Sequence, residues 1–410
     1  MNKRLARAAT LSVIVGGGCV VGFLTVAGVQ FQLGGANLGA GVASTAGGTT
    51  TAGGSTPTAG GTTTGGVGAP TACANPVGGY EGFGRNTTGG AGQPVYRVTN
   101  LNDSGVGSLR DAISAGNRCV VFEVAGTISL SSALLARGAN ITIDGFTAPA
   151  PGISLTNWGF DWHGPNRGVA NIIARGLRIR GTVGPESAGA DGFQIVGVAD
   201  FVIDHVSIDK WGDGSIDITG ENDVPSRDFT IQWSIFGKGR DAKDKSLLIG
   251  YIARRGTLHH NLFINANDRS PLCDWSPDLG LKPARDEVVC DFRNNLVWGY
   301  GWTGTSVRRN GTANVVNNFY HSAGNTNPHS ALYIVEAGIA YASGNASMNG
   351  MSIDAQGNRA TPFPAVEFTT TNALTAARQI VAQAGARGPN FGLDSTDLHY
   401  ISHIVPVLPR

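Results

Sequence analysis

The sequence is poor in charge, in helical periodicity and in sulfur. Of its 410 residues only 14% are charged, and the formal net charge is +1. So balanced a chain gives no reason to expect nucleic acid as a partner, although a single groove can still carry charge. Apolar residues at helical spacing occur in one place, A-L-T-A-A-R-Q-I-V-A-Q-A-G-A, which ends at Gly385 as a natural C-cap. That helix is expected to pack on the outside or end of whatever the rest builds. Five cysteines with no C-x-x-C spacing argue against a structural zinc site. What is abundant is glycine. Its 61 copies are about twice the usual share, and many punctuate short apolar runs, as turns do in an all-β chain.

Residues 1–10 carry Lys3, Arg4 and Arg7 and no acid, and an uncharged apolar stretch follows from Leu11 to about Phe31. Residues 1–32 therefore read as a signal peptide or N-terminal anchor. Gly16 to Gly18 weaken a permanent span and favour cleavage. Residues 33–72 are nearly all Gly, Thr, Ser and Ala. They cannot bury enough apolar surface to offset their ordering entropy, so they form a flexible linker that would hold a domain away from a membrane or wall. The remaining cysteines, Cys73, Cys119, Cys273 and Cys290, are even in number and fit two disulfides of an exported chain. Cys273–Cys290 would close a local loop, and Cys73–Cys119 would pin the start of a domain spanning 73–410.

That domain repeats. The triplets L-R-I, V-S-I, S-I-F, N-L-F, N-L-V and N-F-Y, centred on Arg178, Ser207, Ile235, Leu262, Leu296 and Phe319, recur at steps of 29, 28, 27, 34 and 23 residues. Another short strand precedes several of them, such as D-F-V-I-D or D-F-T-I-Q. One unit of short strands and turns per period is the pattern of a β-solenoid, whose coils bury their inward side chains by stacking. Asn261, Asn295 and Asn318 hold equivalent places and are expected to stack as an amide ladder. The stretch V-I-D-H-V-S-I-D-K-W-G-D-G-S-I-D-I-T (202–219) concentrates acid in an alternating strand pattern.

Eight strings in order now gain a common meaning. E-G-F-G-R-N-T-T-G-G, V-T-N-L-N-D-S-G-V-G-S-L-R-D-A-I, V-V-F-E-V-A-G-T-I, I-T-I-D-G-F-T-A-P, G-A-D-G-F-Q-I, V-I-D-H-V-S, K-S-L-L-I-G and L-H-H-N-L-F-I-N-A-N-D-R-S-P run in order from Glu81 to Pro271. Together they resemble the bacterial pectate lyases of the parallel β-helix type. The resemblance implies an all-β, right-handed parallel β-helix with a short C-terminal helix. It also implies a secreted monomer that cleaves polygalacturonate, an acidic polysaccharide, by β-elimination. A base takes the C5 proton of a uronate and the C4–O bond breaks. Ca2+ neutralises the carboxylate and stabilises the enolate-like intermediate.

The same resemblance assigns residues. Asp213 and Asp217, in D-G-S-I-D, match two calcium ligands, and Asp191, in G-A-D-G-F, matches a third from the preceding coil. A straight strand would hold Asp213 and Asp217 roughly 13 Å apart, so the chain must bend at Gly214-Ser215. Arg269 matches the proposed base and Lys245 a lysine that contacts a substrate carboxylate. Asp204 and His205 read as a structural pair inside the stack, and Asp209 as a surface acid. The pattern also departs: after Arg269 the chain reads S-P-L-C-D, with Leu272 and Asp274 where arginines are common and Gly189 where a further acid is common. Arg285, Arg308 or Arg309 are candidates to replace the lost cation. Trp275, Trp298, Tyr300 and Trp302 are candidates to stack on sugar rings. Two readings compete with the lyase. One is a non-catalytic glycan-binding or surface β-helix. The other, a hydrolase on the same fold, ranks last because it needs an acid cluster such as a D-D doublet, which the chain lacks.

Overall fold

The computed structural model describes residues 10–16, 19–26, 29–37, 72–182, 191–240, 245–275, 287–322, 324, 331–348 and 350–409. The chain divides into two units, Met1–Gly66 and Val67–Arg410. In the first, the apolar stretch forms three antiparallel strands, Thr10–Gly16, Cys19–Val26 and Val29–Asn37. The Gly/Thr/Ser-rich segment beyond residue 37 lies outside the described residues up to 71. No helix among the described residues is long and apolar enough to cross a membrane.

The second unit is a parallel β-helix. Each coil contributes one strand to each of three sheets of ten, nine and eight strands, and every strand pairs in parallel with its counterpart on the next coil. One coil, for example, runs through Ala199–Asp204, Ser207–Asp209 and Ile216–Thr219 in that order of sheets. The triplet register read from the sequence is the register of the nine-stranded sheet: Arg178 pairs with Ser207, Ser207 with Ile235, Ile235 with Leu262, Leu262 with Leu296, and Leu296 with Phe319.

Two devices build this regularity. The bend between the ten- and nine-stranded sheets places one residue per coil at positive φ: His205, Trp233, His260, Asn294 and Asn317, at 49° to 54°. The equivalent positions at either end of this series are glycines, Gly176 and Gly344, which reach the same conformation without a Cβ penalty. The asparagine ladder follows directly. Asn261 Nδ2 donates to Asn295 Oδ1 (3.1 Å), Asn295 Nδ2 to Asn318 Oδ1 (3.0 Å) and Asn318 Nδ2 to Asn345 Oδ1 (3.1 Å), with Asp354 closing the row. Inside the coil, aromatic side chains stack rung on rung, as in Phe160–Phe193 (4.8 Å between centroids) and Phe201–Phe229 (4.6 Å).

The C-terminal helix Ala373–Gln383 packs outside, on the nine-stranded sheet, burying Ala377 and Ile380 against Leu262, Leu296 and Phe319. A second helix, Ser395–Ile404, joins it there. It corrects one expectation. Asp209 is not a surface acid but is buried, accepting hydrogen bonds from the Tyr400 hydroxyl and the Lys238 backbone N–H. Asp204, the last residue of its strand, and His205, at the bend that follows, are a pair, His205 Nδ1 lying 2.6 Å from Asp204 Oδ1.

Both cysteine pairs are joined, Cys73 to Cys119 and Cys273 to Cys290. The second spans a separation of 17 residues and sits in the solenoid interior. Replacing Cys273 and Cys290 together by alanine should lower stability by about 3 kcal/mol through loop entropy. For a domain of this size that is about 4 °C in Tm by calorimetry; a shift below a degree would mean that the stacked coils hold this segment without the link.

Candidate active site

The residues that the sequence singles out gather on the eight-stranded sheet. Along it, Gln194, Asp217, Leu248, Leu272, Ser306 and Tyr333 lie in one register row. Their neighbours Phe193, Ile216, Ile218, Ile249 and Cys273 enter the core, so alternation turns this row outward. The turn before each strand adds a second set: Asp191 before Phe193–Val196, Asp213 before Ile216–Thr219, Lys245 before Leu247–Ile249, and Arg269 before Leu272–Asp274. Four successive coils thus contribute one charged group each to one flank.

Asp191, Asp213 and Asp217 converge, with one carboxylate oxygen of each within 4.8 Å of the others. The bend expected at Gly214-Ser215 makes this possible, and the glycine lets the two carboxylates close in around it. A Cβ on Gly214 would sit 3.0 Å from Asp217 Oδ1 and 3.1 Å from Asp191 Oδ1, while the Gly214 N–H donates to Asp191 Oδ1 at 2.7 Å. Asp191 is buried and the other two half-buried. Burial, then the Asp217 and Asp213 charges, push the Asp191 carboxyl well above its usual range, opposed by the Gly214 N–H. Burial raises Asp217 to about 6; the Arg269 cation opposes the rise, Asp213 adds to it, and Lys245 opposes it. Three hard oxygen donors crowded at this spacing, with raised affinity for positive charge, fit a divalent cation such as calcium.

Arg269 sits at φ 58°, a conformation that costs a non-glycine residue energy and clusters at functional sites. Asp268 holds it there by accepting the Arg269 backbone N–H at 2.7 Å, and the Thr303 hydroxyl holds Asp268 in turn. The backbones of Lys245 and Asp268, on adjacent coils, form an isolated parallel β-bridge. The Arg269 Nε is buried without a hydrogen-bond partner among the described residues. Asp268 and Thr303 escaped the sequence reading. An aspartate directly before the arginine was the available signal, since Asp side chains cap local backbone turns.

The departure after Arg269 has a structural resolution. Asp274 is fully buried and accepts from Arg308 Nε (3.1 Å) and from Arg309 Nε (2.9 and 2.8 Å) on the next coil. Arg308 and Arg309 are therefore committed to a carboxylate, and Arg285 and Gly189 lie outside the described residues. Of the aromatic candidates, Trp275, Trp298 and Tyr300 are packed away, Trp298 stacking on His321 at 4.1 Å. Trp302 alone of the four is exposed, at 51%.

No protein-family model matches the chain. Curated proteins do. A probable pectate lyase C of Aspergillus terreus is 36% identical over 256 residues, 60% of this chain and 54% of that protein. Its counterpart in Aspergillus fumigatus is 34% identical over 282 residues, 66% and 58%. The chain thus spans little more than half the length of these relatives. Among solved structures, the cedar pollen allergen jun a 1 matches with a TM-score of 0.58 at 21% identity, over 75% of this chain and 92% of that one. Pectate lyase Bsp165PelA from Bacillus sp. N165, in complex with trigalacturonate, matches at 0.53 and 19%, over 75% and 98%. Pectate lyase C from Erwinia chrysanthemi, with Ca2+, matches at 0.50 and 15%, over 78% and 99%. These likenesses establish the parallel β-helix. The bacterial part of the resemblance is not borne out, because the curated relatives named here are fungal.

Proposed function

We propose that this chain, a sequence relative of the pectate lyases on their parallel β-helix, is an exported lyase that cleaves polygalacturonate by calcium-assisted β-elimination. The observation that carries the proposal is the meeting of Asp191, Asp213 and Asp217 within 4.8 Å, beside the Arg269 and Lys245 cations felt by Asp217. The three aspartates would hold calcium, which when bound neutralises a uronate carboxylate and acts as a Lewis acid toward it. Lys245 takes a carboxylate of the polymer and fixes its register. Arg269 accepts the C5 proton; the electron pair forms the C4–C5 double bond, the C4–O bond breaks, and the departing oxygen is protonated by solvent. A general base acts only in its unprotonated form, so turnover should rise with pH. Residues 1–32 would direct export or anchoring, 33–72 would act as a spacer, and the protein would work as a monomer.

A second reading, a non-catalytic glycan-binding β-helix, is favoured by Asp274 standing where an arginine is common. Incubating the protein with polygalacturonate, with calcium or with chelator, separates the readings. Calcium-dependent growth of ultraviolet absorbance from the unsaturated product is expected. New reducing ends without absorbance would mean hydrolysis, and neither signal would mean binding alone.

A further inference from the structure

The charged groups of the site follow one another coil by coil: Asp191, Asp213, Lys245, Arg269. The next coil offers Trp302 in the corresponding turn, ahead of the strand Thr305–Arg308. Its backbone N–H donates to the Asn267 carbonyl at 2.7 Å, two residues before Arg269, so the ring is mounted on the same loop edge as the proposed base. Tyr333, on the following coil, lies in the outward row of Asp217. The two rings meet at 5.9 Å between centroids and 52°. Trp302 is also the one aromatic among the exposed large hydrophobic side chains of the described residues.

We infer that Trp302 and Tyr333 form a ring-stacking platform for a sugar of the bound polyuronate, beyond the cleaved bond on the side away from the aspartates, and that this platform sets a preference for long chains. The inference rests on the lyase reading and extends it. Direction comes from the residues themselves, since a polymer that touches groups on four successive coils runs along the solenoid axis. Arg269 precedes the strand Leu272–Asp274, and Tyr333 lies two coils further on, about 10 Å beyond it at about 4.8 Å a rung. Chemistry decides the mode of contact. Among the described residues, Arg308 and Arg309 at this end are engaged by Asp274, while the exposed Trp302 and the half-buried Tyr333 present aromatic faces to a sugar. Its apolar C–H face suits them.

The test compares kcat/KM on polygalacturonate and on trigalacturonate, with calcium present. In Trp302→Ala the ratio of the two should fall about tenfold, a stacking contact's worth of affinity, and Trp302→Phe should restore most of it. Long oligogalacturonates should quench tryptophan fluorescence in Arg269→Ala protein, and the quench should weaken in Arg269→Ala/Trp302→Ala. An unchanged ratio in Trp302→Ala, with the unaltered protein cleaving both substrates, overturns the platform. If the unaltered protein neither cleaves nor binds any uronate, the lyase reading fails first and the platform falls with it.

Discussion

Arg269→Ala should abolish growth of the unsaturated product on polygalacturonate, lowering kcat by about a thousandfold, within the usual reach of a general base. The fold should survive. Arg269 is half-exposed, its Nε has no partner to lose among the described residues, and Asp268 grips its backbone rather than its side chain. Arg269→Lys should also fail. It keeps the charge but replaces a planar fork with a point charge on a different stem. Calcium affinity provides an independent reading. The Arg269 cation lies close enough to Asp217 to pull its carboxyl downward, so its removal takes a positive charge from beside the acid cluster. Titration calorimetry should find tighter calcium binding in Arg269→Ala than in the unaltered protein. Unchanged turnover would remove Arg269 from the mechanism, and weaker calcium binding would mean that the variant has disturbed the aspartates themselves.

The fold was legible because a solenoid writes its period into the sequence. The triplets centred on Arg178, Ser207, Ile235, Leu262, Leu296 and Phe319 share one sheet and pair in the order read, since each must bury the same kind of side chain at the same bend. The eight-stranded sheet was harder to see. Its strands are short, such as Leu247–Ile249 and Leu272–Asp274, and turns of varying length interrupt the spacing before them. Those turns hold the candidate site, so its residues came from resemblance and from the need for a bend at Gly214, not from periodicity. Asp209 shows the limit of local reading. Nothing near it in sequence announces Tyr400, which lies 191 residues away and reaches it through the second C-terminal helix. Asp274 is similar: its partners Arg308 and Arg309 belong to the next coil, and a carboxylate replacing a cation was visible while its consequence was not.

The asparagine ladder yields the largest stability effect. Asn295 is 1% exposed and central in the row. Its Oδ1 accepts both the backbone N–H and the Nδ2 of Asn261, at 3.1 Å each. Its Nδ2 donates to the Leu258 carbonyl at 2.8 Å and to Asn318 Oδ1. Leucine has nearly the same shape but none of these groups, and it leaves no space for a water to substitute. Asn295→Leu therefore strands the Asn261 N–H groups and the Leu258 carbonyl inside the stack. Each orphaned buried group costs about 1–3 kcal/mol, so a loss of about 4 kcal/mol is expected, or about 6 °C in Tm at the usual unfolding entropy per residue. Asn345→Leu should cost less, because Asn345 is half-buried and its neighbour Asp354 closes the row toward solvent. Equal losses at the two positions would mean that these amides act as separate turn formers. A graded loss, larger at Asn295, is what a continuous row of shared hydrogen bonds requires, because Asn345 serves Asn318 and Asp354 nearer solvent, where water can replace what it loses, while Asn295 serves its neighbours inside the stack.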